Sequence, residues 1–359
     1  GVLGAALTPS FWFLIVMRFV IGLAVGSASM VVPLYIGEIA PPSTRGALVS
    51  FNQLAITLGI LISFLVDYFL SSSQDWRLMF GLAAIPAALL FIGILTRSES
   101  PAYLVSHDRE AEARDILKKL RARREDVDKE IEEIKDIQHQ QGGFRDVLGP
   151  KVRKVVLIGV LLAVFQQVTG INTVIYYAPT LLHGAGFGNS AALLANVGVG
   201  VVNVGLTIVA IWLIDKVGRR PLLLVGTAGM IAGMVVLGAA FLAAGGANLS
   251  GTTSVLALIG LGLFTGSFAI GLGPVFWLLI SELYPLRIRG HAMSLATVAN
   301  WLANFVVTIS FLTLLNAIKG QGVFFLFGFL SLAAFAYFWR RVPETKNRSL
   351  QQIERELVS

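Results

Sequence analysis

The run FQQVTGINTVIYYAP at 165–179 holds three amides, Gln166, Gln167 and Asn172, in an otherwise apolar stretch with Gly170 among them. A second apolar stretch carries GLGPVFW, with Gly271, Gly273, Pro274 and Trp277; a third carries Asn300, Trp301 and Asn304. Asn196 and Asn203 lie seven residues apart, on one face of a helix, and Gln53 sits near the start of a further apolar run. Polar side chains are costly inside a membrane and tend to mark a pathway. Glycine permits local unwinding where a helix lines a cavity. Amides both donate and accept hydrogen bonds, as hydroxyls require. An indole adds an apolar face and one N–H, which suits the C–H face of a pyranose. No carboxylate or ammonium lies within the spans of the C-terminal half, so the set suits a neutral polyhydroxylated ligand and lacks a counter-charge for an ion. The alternative is that the amides only tie helices together, as membrane amides do.

The elements that must position these groups follow from composition. The chain has 359 residues, 55% hydrophobic and 14% charged, with a mean hydropathy of +0.76. A soluble domain carries about 25% charged residues. The long continuous apolar runs exclude a β-barrel and predict a polytopic helical membrane protein. Nine spans of bilayer length are expected, at 11–36, 47–70, 77–96, 155–180, 190–214, 221–244, 254–281, 291–315 and 321–340. Of 28 Lys and Arg, 25 fall in alternate connections, which are therefore expected to face the cytoplasm, the linker and C-terminus included. That asymmetry accounts for the net charge of +7 without nucleic-acid binding. Cys is absent and the four His show no metal-type spacing, so no disulfide, metal site or cofactor is expected. No nucleophile–base pair or carboxylate pair indicates an enzyme.

Between Arg97 and Lys154 lie 27 of the 49 charged residues. Acid-then-base pairs at i, i+4 (Glu110/Arg114, Asp115/Lys119, Glu125/Lys129) predict short, solvated amphipathic helices there. The chain also repeats. GEIAPPSTRG at 37–46 aligns with SELYPLRIRG at 281–290, pairing Glu38 with Glu282 and Arg45 with Arg289 at an offset of 244 residues. Glu99 and Glu344 pair at an offset of 245. Both copies face the same side, so the repeats are parallel. The second copy has six spans and the first three, which predicts about 90 residues and three spans before Gly1; the nine spans alone are not expected to transport. The expected organisation is 1–96 in an N-terminal bundle, a cytoplasmic linker at 97–154, a six-helix bundle at 155–340 and a cytoplasmic tail at 341–359. Glu38, Arg45, Glu282, Arg289 and the turn Asp215–Arg220 would pair at the cytoplasmic helix ends, latching two halves shut. The competing role is helix termination and topology signalling. Arg18 is the one charge deep in a span, suited to an acid on another helix or to backbone carbonyls.

The motifs RFVIGLAVGSASMVVPLYIGEIAPPSTRG, FNQLAITLG, FQQVTGINTVIYYAP, DKVGRRP, GPVFWLLISELYP, NWLANF and VPETKNRSLQQIE together resemble the sugar porter family of the major facilitator superfamily. The resemblance implies an all-α membrane fold of two pseudo-repeated six-helix bundles, of which this chain holds about the last nine helices. It implies sugar contacts from Gln53, Gln166, Gln167, Asn172, Asn203, Trp277, Asn300 and Trp301, and an outer gate at Tyr176 and Tyr177. Glu38, Arg45, Glu99, Arg219, Arg220, Glu282, Arg289 and Glu344 match a cytoplasmic latch, and Arg18 matches the arginine of proton symporters. The linker motif departs from the family's PESPR: here Ser98-Glu99-Ser100-Pro101-Ala102 lacks the first Pro and the Arg. Ile60 and Asn300 resemble the glucose-facilitator pattern, which favours a hexose. The expected protein is a monomeric bacterial inner-membrane carrier moving a neutral monosaccharide with protons by alternating access. The alternatives are an uncoupled facilitator, a polyol or inositol carrier, and a non-transporting sugar sensor.

Overall fold

A chain in lipid must satisfy every backbone N–H and C=O internally, and the apolar runs do so as helices. The computed structural model describes residues 1–41, 44–73, 75–120, 124–139, 143–184, 188–245, 249 and 251–346. Residues 347–359 of the expected tail and the Arg45 side chain lie outside the described residues.

A short helix, α1 (Val2–Ala6), packs on α2 (Phe11–Ile39), which Ser10 caps by accepting from the Phe13 N–H. α3 (Arg45–Leu70) follows, then α4 (Trp76–Leu82) and α5 (Ala84–Leu95), which divide the expected third span at Ala83. Three helices lie in the segment expected to be a linker: α6 (Pro101–Ser106), α7 (Glu110–Leu120) and α8 (Arg124–His139). They share a small core of Leu104, Val105, Ala113, Leu117, Val127 and Ile131, so this segment folds on itself and is more than a solvated strap. Arg114 pairs with Glu110 as its spacing predicts, and also with Asp128. Asp115 pairs with Lys118 in place of Lys119, because i+3 and i+4 are equally near on a helix surface. The Glu125 side chain lies outside the described residues. Lys135 on Glu110 and Arg109 on Glu112 donate hydrogen bonds that hold both carboxyls below the usual range.

After α9 (Phe144–Val147) come α10 (Arg153–Val168), α11 (Ile171–Gly184), α12 (Asn189–Val217), α13 (Arg219–Ala243), α14 (Thr252–Ile270), α15 (Leu272–Leu283) and α16 (Arg289–Arg341). The two expected spans 291–315 and 321–340 both lie in α16, separated at Lys319, whose φ of 58° and ψ of 175° are not helical. The largest core belongs to these C-terminal helices and includes Phe264, Phe276, Phe311, Phe324 and Phe338. α13 and α14 meet backbone to backbone: a Cβ on Gly226 would stand 2.6 Å from the Gly271 Cα. Small residues at such crossings let membrane helices approach closely. The N-terminal helices join the others chiefly where α3 runs along α12 and touches α15, and where α2 meets α16. Elsewhere α2 and α5 expose large apolar side chains, among them Trp12, Phe19, Phe91 and Leu95, which suits contact with lipid.

Candidate substrate site

Two broken helices build the site. α10 ends at Val168 and α11 begins at Ile171; between them Gly170 has φ +89°, and a Cβ there would lie 2.6 Å from the Phe327 ring. Both its conformation and its space demand glycine. α14 ends at Ile270, and Gly271, at φ −107° and ψ −94°, turns the chain into α15.

The last turn of α10 carries Gln166 and Gln167, both buried. Gln166 Nε2 donates to the carbonyl of Leu272, the first residue after the second break, at 3.1 Å. Asn300, from α16, donates through Nδ2 to Gln166 Oε1 at 2.7 Å and to the Ala163 carbonyl at 3.0 Å. Its Oδ1 accepts from Gln167 Nε2 at 3.0 Å. Asn172, just past the first break, donates to Gln167 Oε1 at 2.8 Å. Four amides from α10, α11 and α16 thus form one connected group. Gln53 enters from α3: its Nε2 lies 3.3 Å from the position a Cβ would take on Gly273. Trp277 is buried edge-on against Phe276, with ring centroids 4.7 Å apart. The Trp301 indole Nε1 and the Asn203 Oδ1 are buried without a hydrogen-bond partner among the described residues.

The remaining residues singled out from sequence lie apart from this group. Tyr177 stacks on Phe311 at 4.8 Å, while its neighbour Tyr176 is exposed. Arg18 is exposed on α2, with its guanidinium 5.4 Å from the centre of the Phe80 ring. At the basic end, Glu344 Oε1 accepts from the Arg219 N–H at 3.0 Å, and its Oε2 from the Arg220 N–H at 3.0 Å. The carboxylate thereby caps the N-terminus of α13, where helix dipole and free N–H groups favour an anion. The Arg219 guanidinium reaches Glu282 and Asp215, each at 3.0 Å, and the Thr345 hydroxyl donates to Glu282 at 2.5 Å. All these groups belong to the C-terminal half. Among the described residues, Arg219, Arg220, Glu282 and Glu344 partner with one another and with groups on neighbouring C-terminal helices. Glu38 does face across the halves, with Arg289 beside it and the Ser100 hydroxyl as hydrogen-bond partner. Glu99 is exposed in the linker with Arg109 nearby. Tyr284, at the same end, is fully buried; burial pushes its phenol up, and its hydroxyl crowds against Gly159.

Sequence reasoning missed Thr265, whose buried hydroxyl has no partner among the described residues, and Asn52, whose Nδ2 is likewise unpartnered. Nothing in the sequence separates Thr265 from the membrane threonines that bond to their own helix. Asn52 sits next to Gln53, and its amide was a usable signal.

The fold and this buried neutral pocket define a class: a multi-pass membrane transporter of the major facilitator type. The profile of the family described as "Sugar (and other) transporter" matches residues 1–357, and the chain belongs to that family. It is 41% identical over 360 residues to the D-xylose transporter of Levilactobacillus brevis, covering 99% of this chain and 78% of that protein. It is 37% identical to the glucose transporter GlcP of Staphylococcus epidermidis, over 99% of this chain and 79% of GlcP. With the arabinose-proton symporter of Escherichia coli K12 it shares 36%, over 100% of this chain and 77% of the symporter. The structure of the proton:xylose symporter XylE bound to 6-bromo-6-deoxy-D-glucose superposes with a TM-score of 0.86 at 34% identity, over 99% of this chain and 80% of XylE. The inward open form of XylE from E. coli gives 0.76 at 33% identity, over 99% and 79%. The helices are thus arranged more as in the sugar-bound form than in the inward open one. These relatives are transporters and not enzymes.

Proposed function

We propose that the protein carries a neutral monosaccharide, a hexose, across the membrane by alternating access, together with protons. The observation that carries this reading is the linked group Gln166, Gln167, Asn172 and Asn300 beside two helix breaks. Its amides can exchange their mutual hydrogen bonds for bonds to sugar hydroxyls, so no charge need be buried. Trp277 and Trp301 supply apolar faces for the ring, and Gln53 adds a contact from the other bundle, so that sugar binding draws the halves together. The division into an N-terminal bundle at 1–96, a linker at 97–154 and a C-terminal bundle at 155–340 suits rigid-body rocking about this site. Proton coupling draws its support from Arg18, an arginine in the apolar length of α2, and from relatives described as proton symporters.

The test is uptake of D-glucose and D-xylose by the full-length protein in liposomes, with the external pH recorded. Saturable uptake with D-glucose preferred, and alkalinisation of the medium when sugar is added, is the expected result. Uptake without alkalinisation overturns the coupling and leaves facilitated diffusion. Absence of uptake of any monosaccharide overturns the sugar reading itself.

A further inference from the structure

At the basic end of the C-terminal helices, cations from three chain segments meet. Lys216, in the last turn of α12, holds its Nζ 3.5 Å from the centre of the Trp212 ring, one turn back on the same face. Such a cation–π contact uses one side of the ammonium and leaves N–H groups for an anion. Lys346 Nζ donates to the Lys216 carbonyl at 2.5 Å. Arg220, in the first turn of α13, donates through Nη2 to the Trp339 carbonyl at 2.5 Å, and its Nε is buried with no partner among the described residues. Arg340 and Arg341 follow, both exposed, in the last turn of α16. The carboxylates of this corner are engaged otherwise. Asp215 and Glu282 take the Arg219 guanidinium, and Glu344 takes the N–H groups of Arg219, Arg220, Thr345 and Lys346. Among the described residues, none of the three pairs with the side chain of Lys216, Arg220 or Lys346. Glu344 also fills the N-terminus of α13, so an anion arriving from outside meets side chains and not the helix end.

The same corner carries the marks of a bilayer edge. Trp212 and Trp339 are 62% and 60% exposed, each near the end of its helix. Exposed indoles in that position belong at the headgroup level of a membrane. Farther from the basic end, α13 exposes Val225, and α16 exposes Phe329 and Leu332. An apolar wall thus runs on from a cationic rim. We propose that the rim from Trp212 to Trp339 binds the phosphate headgroup of an anionic phospholipid, with Lys216, Arg220 and Lys346 as its donors. The acyl chains lie along the apolar sides of α13 and α16, and the headgroup ties together the ends of α12, α13 and α16. Guanidinium and ammonium groups are the usual partners of phosphate oxygens, and basic recesses between membrane helices are suited to anionic headgroups. Soluble phosphate offers the same oxygens and charge but nothing for the indoles or the apolar wall. The site needs no sugar and stands apart from the transport reading.

The experiment melts the full-length protein in nanodiscs of phosphatidylcholine containing rising fractions of phosphatidylglycerol. A lipid that binds the folded state raises the melting temperature, and at a defined site the rise saturates. Lys216→Gln should need about five times as much phosphatidylglycerol for half of that rise, and Lys216→Gln with Lys346→Gln about 30 times as much, the loss expected for each cation at a membrane surface. Trp212→Leu keeps every charge and should also move the half-point upward. Arg153→Gln with Lys154→Gln removes two exposed cations that open α10, the same change in net charge, and should move the half-point by less than about twofold. If this control moves it as far as the Lys216 and Lys346 pair does, the attraction is one of general surface charge and the site falls. A rise that never saturates overturns the proposal in the same way. An equal rise with inorganic phosphate in pure phosphatidylcholine overturns the lipid as the occupant. Where the double variant does not fold, Lys216→Gln alone decides by the same comparison with the control.

Discussion

We predict that replacing Asn300 with leucine, close in volume but without hydrogen-bonding groups, loosens the substrate site while leaving the protein folded. Asn300 makes three interhelical bonds, two at 3.0 Å and one at 2.7 Å, to Gln166, Gln167 and the Ala163 carbonyl. Interhelical hydrogen bonds in membranes average about 0.6 kcal/mol each, so the loss amounts to about 2 kcal/mol. At about 1.4 kcal/mol per decade that is a factor of about 30 if it falls wholly on affinity. Some falls on stability instead, because Gln166 Oε1 and Gln167 Nε2 lose their Asn300 partner and keep only their mutual contact at 3.4 Å. The expected KM for sugar uptake in liposomes is therefore about 5 to 30 times that of the unaltered protein, with maximal rate changed by less than about threefold. Gln166→Leu and the double variant complete a thermodynamic cycle. A coupling of about 0.6–1.7 kcal/mol between the two positions is expected. A KM within twofold for Asn300→Leu, or independent effects of the two substitutions, would refute the view that these amides bind sugar as one connected group.

Further outcomes follow from single contacts. Tyr284→Phe removes a buried hydroxyl that has no hydrogen-bond partner among the described residues, and should leave thermal stability unchanged or raise it by about 1 kcal/mol; a clear loss in a melting experiment would show that the hydroxyl is satisfied. Gly170→Ala forces a side chain into positive φ and against Phe327, and should cost more than about 2 kcal/mol, read as a lowered melting temperature. Gly198→Ala, where an added Cβ meets nothing within 4 Å, is the control and should be neutral or slightly stabilising. Glu344→Ala deprives the Arg219 and Arg220 N–H groups of their acceptor and should destabilise by about 1–2 kcal/mol; an unchanged melting curve would mean that solvent caps α13 equally well.

The parts of this architecture readable from sequence are those that depend on local composition. Span positions follow from hydropathy because lipid imposes one solution on every apolar run: the expected 47–70 is observed as Ala47–Leu70, and 190–214 as Asn189–Val217. The break at Gly170 was visible because glycine among amides has few other uses in a span, and the conformation there requires it. Partnerships are another matter. Glu282 and Arg219 carry the same charges whether they join two halves or two helices of one half, and only the packing of α13 against α15 decides. The linker's core was hidden because its apolar residues are few and scattered among charges; Leu104 and Ile131 become neighbours only when α6, α7 and α8 fold together. Thr265 was invisible for a similar reason: whether a hydroxyl turns to its own helix or away from it is a matter of rotamer, on which sequence is silent.

Gly226 and Gly271 touch where α14 gives way to α15, and neither presents a side chain to the other. For any rotation of α15 the joint would serve as a plain bearing, two bare main chains in contact at the axle. A swing of α15 about this point drags no side chain of either residue over a ridge, so resistance to the motion arises farther out along the lever, where Phe276 and Trp277 sit in their packing. A methyl group at either glycine would act as a burr on the axle, hindering rotation as well as loosening the fit, and its mark would be a slowed turnover beyond what lost stability alone explains.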